Sequence, residues 1–573
     1  MEMNYDEKTL HQLEEELDTK IYPGTEIMSD VGSHHFVKAG EGSGNVLVPQ
    51  PSNDPHDPLN WNPFWKTSAI SLSTAVSFAQ GFGPLALAPM FPQLMEAFDA
   101  SLADVVQFTG VCILVLGFSN FIWVPIQTAF GRRPVLIFST IICLASNIWR
   151  AVAKDYASFM GACILNGIGA GPAEASQTAQ PQIIADVMFL HERGRWNTLY
   201  FTFYFGSLMV GPIVSGPMAE HLGQRSFWWF NVGLHGVVLI GLIFLFPETK
   251  WHRTHPRELL GQASISTEVQ TEATTGKDTL SSKTEQKEKD TPNNDTILPT
   301  LTNTTTTNPL AHATTADRDP HLHRGTPSRS QFALFVPNAH PLRTIILDLW
   351  IPIKLHIYPI IEFSAFVVSW SASSFLTLNL TQSQAFAVPP YNYTSQTIGF
   401  FNFAILAGAI IGLASNGWLS DWFAARLTKR NRGVREPEMR LPTFIPFVAL
   451  MLLGNFVVAF GYQYKWPWEA IVLIGYTCAG IQVAAIPAIV TTYAVDSYKP
   501  VTGSIMVTIT VNKNVWGYGF SKFITPWVEE AGFVPPIMLN MCLIFLWCSF
   551  GVVFFVWGKK LRGVTRESDV HDM

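Results

Sequence analysis

Residues 104–153 read DVVQFTGVCILVLGFSNFIWVPIQTAFGRRPVLIFSTIICLASNIWRAVA, two apolar runs interrupted once. A helix needs about 20 largely apolar residues to cross a bilayer, and the runs 104–126 and 133–153 each meet that length. The interruption is Gly131-Arg132-Arg133-Pro134. Glycine permits a sharp bend there, and two guanidinium groups are too costly to leave in hydrocarbon. The stretch therefore predicts a helical membrane hairpin with a short, basic turn at the water interface.

Runs of the same kind recur outward from it, at 67–92, 157–184, 196–219 and 227–247, then at 350–375, 395–420, 442–462, 468–493, 503–527 and 535–557. The composition fits, since 48% of the 573 residues are hydrophobic and 14% charged, with 41 Phe and 18 Trp. A soluble globule of this size could not cover itself with so little charge. The expected fold class is all-α integral membrane, with twelve transmembrane helices in two six-helix halves, 66–250 and 346–558. A polar N-terminal tail (1–65), a disordered linker rich in Thr, Ser, Asn and Pro (251–345) and a short C-terminal tail (559–573) complete the expected organisation.

Basic residues orient the chain. Fifteen Lys and Arg lie in the tail after the last span and in the turns after spans two, four, eight and ten, against four (Arg150, Lys154, Arg225, Lys465) on the other side. Both termini are expected to be cytoplasmic, in a multi-pass protein of the plasma membrane. The sequon at Asn392 then falls in an outer connection and that at Asn379 at its membrane edge, both candidate glycosylation sites, while Asn294 and Asn303 should stay bare. The first 30 residues lack the basic start and short apolar core of a secretory signal.

Several functions are disfavoured. A net charge of −6 offers no basic surface for nucleic acid. The six cysteines lie in apolar stretches with no metal-ligand spacing, and read as small buried side chains, so no metal or cofactor is expected. No phosphate-binding loop, HExxH or nucleophile elbow is present, which disfavours an enzyme or a nucleotide-driven pump.

The pattern of six spans, a long loop and six more suggests a transporter whose halves rock about a midplane site. At the Gly131-Arg132-Arg133-Pro134 turn the sequence resembles the major facilitator superfamily. That family's turn motif begins with a glycine and an aspartate, and here those positions are Val124 and Thr128. The matching stretch after span eight, Gly417-Trp418-Leu419-Ser420-Asp421, keeps its carboxylate. The resemblance implies a gating role for Arg132, Arg133 and Asp421, although two arginines at this place also satisfy the positive-inside rule alone. Span five carries Gly211-Pro212-Ile213-Val214-Ser215-Gly216-Pro217, similar to the family's antiporter motif, which implies that Gly211 and Pro212 bend the helix where the halves meet. Further stretches resemble the fungal twelve-helix drug:proton antiporter branch: Asp57-Pro58-Leu59-Asn60-Trp61, Phe121-Ile122-Trp123-Val124-Pro125, Leu190-His191-Glu192-Arg193-Gly194, Pro247-Glu248-Thr249-Lys250 and Glu436-Pro437-Glu438-Met439-Arg440-Leu441-Pro442. Span four departs from the family, with Cys163 where an arginine is usual.

Charged residues inside the hydrocarbon are functional candidates by default. Glu174 in span four, Glu362 in span seven and Lys513 in span eleven fall near predicted span centres, with Gln177 one turn from Glu174 and Asn512 beside Lys513. A desolvated carboxylate is able to exchange a proton near neutral pH, so Glu174 and Glu362 suit proton coupling or cation binding. The structural alternative for each is a static pair with Lys513 or a hydrogen bond across the bundle. Gln80, Gln180, Asn402, Gln482, Asn514 and Trp370 either line the same cavity or brace the helices. The sequence thus points to a secondary transporter that exports a small organic molecule in exchange for protons. The alternatives are uptake of a cation such as a polyamine, and a membrane sensor that transports nothing.

Overall fold

Four of the long helices begin where a side chain occupies a free amide. Asn62 accepts a hydrogen bond from the Trp65 amide ahead of α1 (Pro63–Phe82), and Ser101 and Asp104 form a reciprocal capping box on α2 (Leu102–Phe130). Asp155 and Thr394 cap α4 (Tyr156–Val187) and α8 (Ser395–Arg430) in the same way. Between these lie α3 (Arg132–Val152), α5 (Leu190–Leu222), α6 (Gln224–Leu245) and α7 (Pro359–Phe386). The series ends with α9 (Phe444–Tyr464), α10 (Thr477–Ser497, entered through a π-turn at Ala470–Tyr476), α11 (Thr502–Ala531) and α12 (Val534–Val564). This computed structural model describes residues 26–27, 52, 54–251, 324–338, 340–431, 434–498 and 501–565, without the side chains of 26, 27, 174–179, 190, 191 and 194. Asn294, Asn303, Arg432, Lys499 and Arg566 fall outside the described residues.

Among the described residues, nine of these helices are long and apolar enough to cross a membrane by length and composition alone. The other three are α1, α4 and α11; of these α1 and α11 carry polar residues on protein-facing sides, such as Ser73, Ser77 and Gln80 in α1 and Thr508, Asn514 and Ser521 in α11, all buried. In the first half α4 packs on α1, α2 and α3, and in the second α10 packs on α7, α8 and α9. The halves meet along α2 with α11 and along α5 with α8, so each half offers its second helix to the other's fifth.

Three expectations change. The first span stops at Phe82, and the chain continues through an irregular stretch containing Pro84 and Pro89 into a short helix, Phe91–Phe98. The seventh span does not run over 350–375: Pro341–Leu355 is a separate lateral helix, and α7 starts at Pro359, because the residue before a proline is driven out of helical geometry. Nor does the whole of 251–345 lack structure. Residues 324–338 form a strap on the first half, held by Asn62 N to Gly325 O (2.9 Å), Glu248 N to Gln331 O (2.7 Å), Val336 N to Phe130 O (2.9 Å) and Asn338 N to Ala129 O (2.9 Å). The Asp57–Trp61 stretch is the seat of that strap: Asp57 accepts from the Ser52 and Leu59 amides, and Trp61 is wholly buried and bridged to Gly325. In the N-terminal tail, Glu26–Ile27 pairs antiparallel with Val434–Arg435.

Candidate transport pathway and gates

A cavity of about 120 Å³ lies where the halves face each other. Its wall comes from both: Leu85, Ile113, Leu116, Phe205 and Leu208 on one side, Phe375, Leu376, Val483 and Pro487 on the other. Lys513 and Asn514 of α11 add polar groups to this otherwise largely apolar wall, which Gly517 of the same helix also lines. The geometry depends on α2 and α11 running close together, since a Cβ at Gly117 would stand 2.6 Å from the Asn514 Cβ.

The sequence candidates divide here. Lys513 lines the cavity, whereas Asn512, one residue earlier, turns toward α7, where Ser369 Oγ donates to its Oδ1 at 3.5 Å. The backbones of Glu174 and Gln177 lie within α4, but their side chains are outside the described residues. Glu362 is not near a helix centre. It sits in the first turn of α7, partly exposed, with its Oε2 2.9 Å from His356 Nδ1, because the helix begins nine residues later than expected. The other polar candidates mostly brace helices: Gln80 donates to Ser139 Oγ (3.0 Å), Gln180 to Thr74 Oγ1 (3.2 Å), Asn402 to Gln382 Oε1 (3.3 Å) and Gln482 to Ser371 Oγ (3.3 Å). Trp370 packs against Trp516 with ring centres 4.9 Å apart.

One face of the molecule carries the entry to α1 and the end of α12, and on it each half is braced by charge. In the first half, Glu248 after α6 accepts from the Arg132 and Arg133 amides (2.9 and 3.0 Å), and the Arg132 guanidinium pairs with Asp186 at the end of α4. Gly131 is held at φ 106°, a conformation L side chains avoid, and a Cβ there would stand 2.5 Å from Glu248 Oε2. Arg133 points inward, giving Nε to Phe246 O (2.9 Å) and Nη2 to Ile243 O (2.8 Å), and also bonding to Phe332 O of the strap. In the second half, Arg440 binds Asp496 at the end of α10 (3.0 Å) and approaches Asp421 (3.7 Å). Arg562 at the end of α12 is clamped by Glu436 (2.6 Å) and Glu438 (2.8 Å). Both braces join an arginine before or at the third helix of the half to an aspartate at the end of the fourth, and the charge at the sixth helix end is reversed, Glu248 in one half and Arg562 in the other. Asp421 is 76% exposed, so Asp496 is the closer and better shielded partner of Arg440. Burial pushes the Glu436 carboxyl up, but Arg562 and Lys559 beside it outweigh that and hold it below the ordinary range.

At the opposite, distal face the halves touch through Ser383 Oγ to Ala88 O (2.6 Å), Gln93 Nε2 to Ser395 Oγ (2.8 Å) and His221 Nε2 to Gln396 Oε1 (2.8 Å). The Gly211–Pro217 stretch works beside these contacts. Gly211 admits the Phe82 carbonyl, Ser215 Oγ donates to Ala86 O (2.7 Å), and Gly216 meets Ser395 and Gly399 of α8. Asn392 is exposed in the connection before α8, while Asn379 is wholly buried within α7, where a glycan has no room.

Asp186 and Asp496 carried no sequence signal, being charged residues near helix ends that on composition alone read as solvated, while Glu248 stood in the Pro247–Lys250 resemblance and Arg562 in the basic count of the tail, neither with a partner. Arg150, one of the four basic residues assigned to the distal connections, is instead buried between helices. Its guanidinium lies over Trp228 (4.7 Å to the ring centre), 3.7 Å from Cys112 Sγ and against the Cys163 thiol. Thus α3 delivers a guanidinium to the α4 position that lacks one.

The family model of the Major Facilitator Superfamily matches residues 70–517. An uncharacterized MFS-type transporter of Schizosaccharomyces pombe is 26% identical over 92% of this chain and 90% of its own length. The efflux pump radE of Floropilus chiversii is 23% identical over 92% and 87%. The crystal structure of a D-xylose-proton symporter superposes with a TM-score of 0.53 at 12% identity, covering 84% of this chain and 96% of that one. With the family match spanning most of the chain and both six-helix halves, this multi-pass membrane transporter belongs to the major facilitator superfamily.

Proposed function

We propose that the chain exports a small, largely apolar organic molecule in exchange for protons, with both termini in the cytoplasm and the plasma membrane as its site. The observation that carries this reading is the cavity shared by the two halves, apolar except at Lys513 and Asn514. Such a wall rewards burial of apolar substrate surface and leaves few polar groups to fix its orientation. The likeness to a relative named as an efflux pump supports the outward direction. The interface of Gly211–Pro217 with α1 and α8 supports a rocking motion, because it joins the halves without an intervening loop.

Glu174 and Gln177 remain the proposed proton and substrate groups of α4, with Lys513 of α11 as a third. Glu362 leaves that set, since its place is the helix start beside His356. The same observation weakens cation uptake, which drew on two midplane carboxylates.

The test is accumulation of radiolabelled spermidine and of fluorescent cationic and neutral drugs, in cells with and without the protein, each with and without a protonophore. Export predicts lower accumulation that rises when the proton gradient is collapsed. Higher, protonophore-sensitive accumulation would establish uptake instead. No change for any compound, with the protein at the surface, would favour the sensor. Glu174→Gln at full rate and unaltered pH dependence would remove that residue from the coupling.

A further inference from the structure

The lateral helix Pro341–Leu355 has one face packed on the protein and an outer face rich in exposed apolar side chains. Its inner face, with Ile351, Pro352 and Leu355 buried, packs on α2 of the first half and α11 of the second. One hydrogen bond fixes it there, Thr508 Oγ1 of α11 donating to Pro352 O at 2.9 Å, and the Asp348 carboxyl lies near the Thr128 side chain at the end of α2. Its outer face is a stripe at helical spacing, Leu342, Ile346, Trp350 and Ile353, continued in the turn after the helix by Ile357, each 53–80% exposed. Isolated exposed apolar residues are ordinary, but a continuous stripe of this kind marks a surface that something apolar covers.

We propose that this stripe lies in the lipid bilayer, so that the lateral helix is an interfacial helix seated at the boundary of headgroups and acyl chains. Continuity with the lipid-facing surface carries the choice of occupant. Phe335 of the strap stacks on Phe138 of α3 (6.0 Å between ring centres) and meets Phe130 of α2, and the lateral helix packs on that same α2, so it neighbours a helix pair that carries exposed Phe118, Ile122, Phe138 and Ile141. Helices that rest in the interface present an apolar side of this form with basic residues at its margin. Arg343 and Lys354 flank the stripe, and their long stems reach headgroups while the apolar side chains go deeper. Because the inner face grips α2 and α11 together, lipid bound to the outer face bears on the joint between the halves.

The test uses the full-length protein in phosphatidylcholine nanodiscs, with the exposed Cys542 replaced by Ala and a spin label at Ile346→Cys or, separately, at Ile357→Cys. Both positions are exposed, so labelling leaves the packed face intact. The expected result is collision with oxygen severalfold more frequent than with a water-soluble nickel complex at both sites, at a depth near the headgroups. Greater access to the nickel complex would overturn the proposal. So would shielding from both reagents that disappears when residues 252–323 are deleted, since the stripe would then be covered by the chain itself. Neither reading depends on transport, so the outcome stands apart from the direction or coupling of the transporter.

Discussion

Single residues on the tail-bearing face carry energy that the helices cannot replace. Arg562 is wholly buried between Glu436 and Glu438, and removing one partner of a buried ion pair costs about 3–5 kcal/mol because charge is left uncompensated. Arg562→Met should therefore lower the melting temperature steeply and reduce surface expression. Adding Glu436→Gln and Glu438→Gln should recover much of the loss, and failure to recover would mean that packing of the arginine stem dominates. Gly131→Ala forces a side chain into φ 106° against Glu248, which should destabilise by more than about 1 kcal/mol. Thermal unfolding in detergent measures it, and a wild-type melting curve would refute the strain. His356 donates a hydrogen bond to the Glu362 carboxylate that raises its pKa above the ordinary 6.5, with burial opposing in part. A raised folded pKa gives stability that is present at low pH and lost as pH climbs through it. Melting temperatures between about pH 5 and 8 should fall with rising pH, and Glu362→Gln should flatten that slope.

Between elements, the closest approaches are made by glycine. A Cβ at Gly399 of α8 would stand 2.7 Å from Pro212 O of α5, whereas Gly417, further along α8, has open space. Gly399→Val should push the halves apart at that crossing and cut transport while the protein still reaches the membrane. Gly417→Val should transport normally, which makes it the control. Equal activity in both would show that the α5–α8 contact does not limit motion. Helix existence was legible in the sequence, because apolar runs of spanning length admit few other fates in a bilayer. Helix limits were less so. The run over 350–375 looked continuous, and only Pro352 and Pro359 with the observed break at 356–358 separate the lateral helix from α7. That error moved Glu362 from a helix centre to a helix start.

Across the whole molecule, alternating access requires the distal contacts to part while the tail-bearing face closes. Ala88→Cys with Ser383→Cys, joined by a bifunctional thiol reagent in a Cys542→Ala background, should stop transport, and reductive release of the link should restore it. Full transport in the joined protein would mean that this contact does not open. The sequence by itself determined the class of the protein, its twelve helices in two halves and the family, because hydrophobic length, turn glycines and basic turns are local properties that the bilayer reads directly. The tertiary structure alone decided which charges meet. Glu248 with the Arg132 and Arg133 amides, Arg440 with Asp496, Arg562 with two glutamates and Arg150 with the cysteines of α2 and α4 are separated by up to 126 residues in the chain. Partners so distant are chosen by helix rotation and packing, which no single helix's sequence specifies, and the same packing sets Lys513 into the cavity while turning Asn512 to α7.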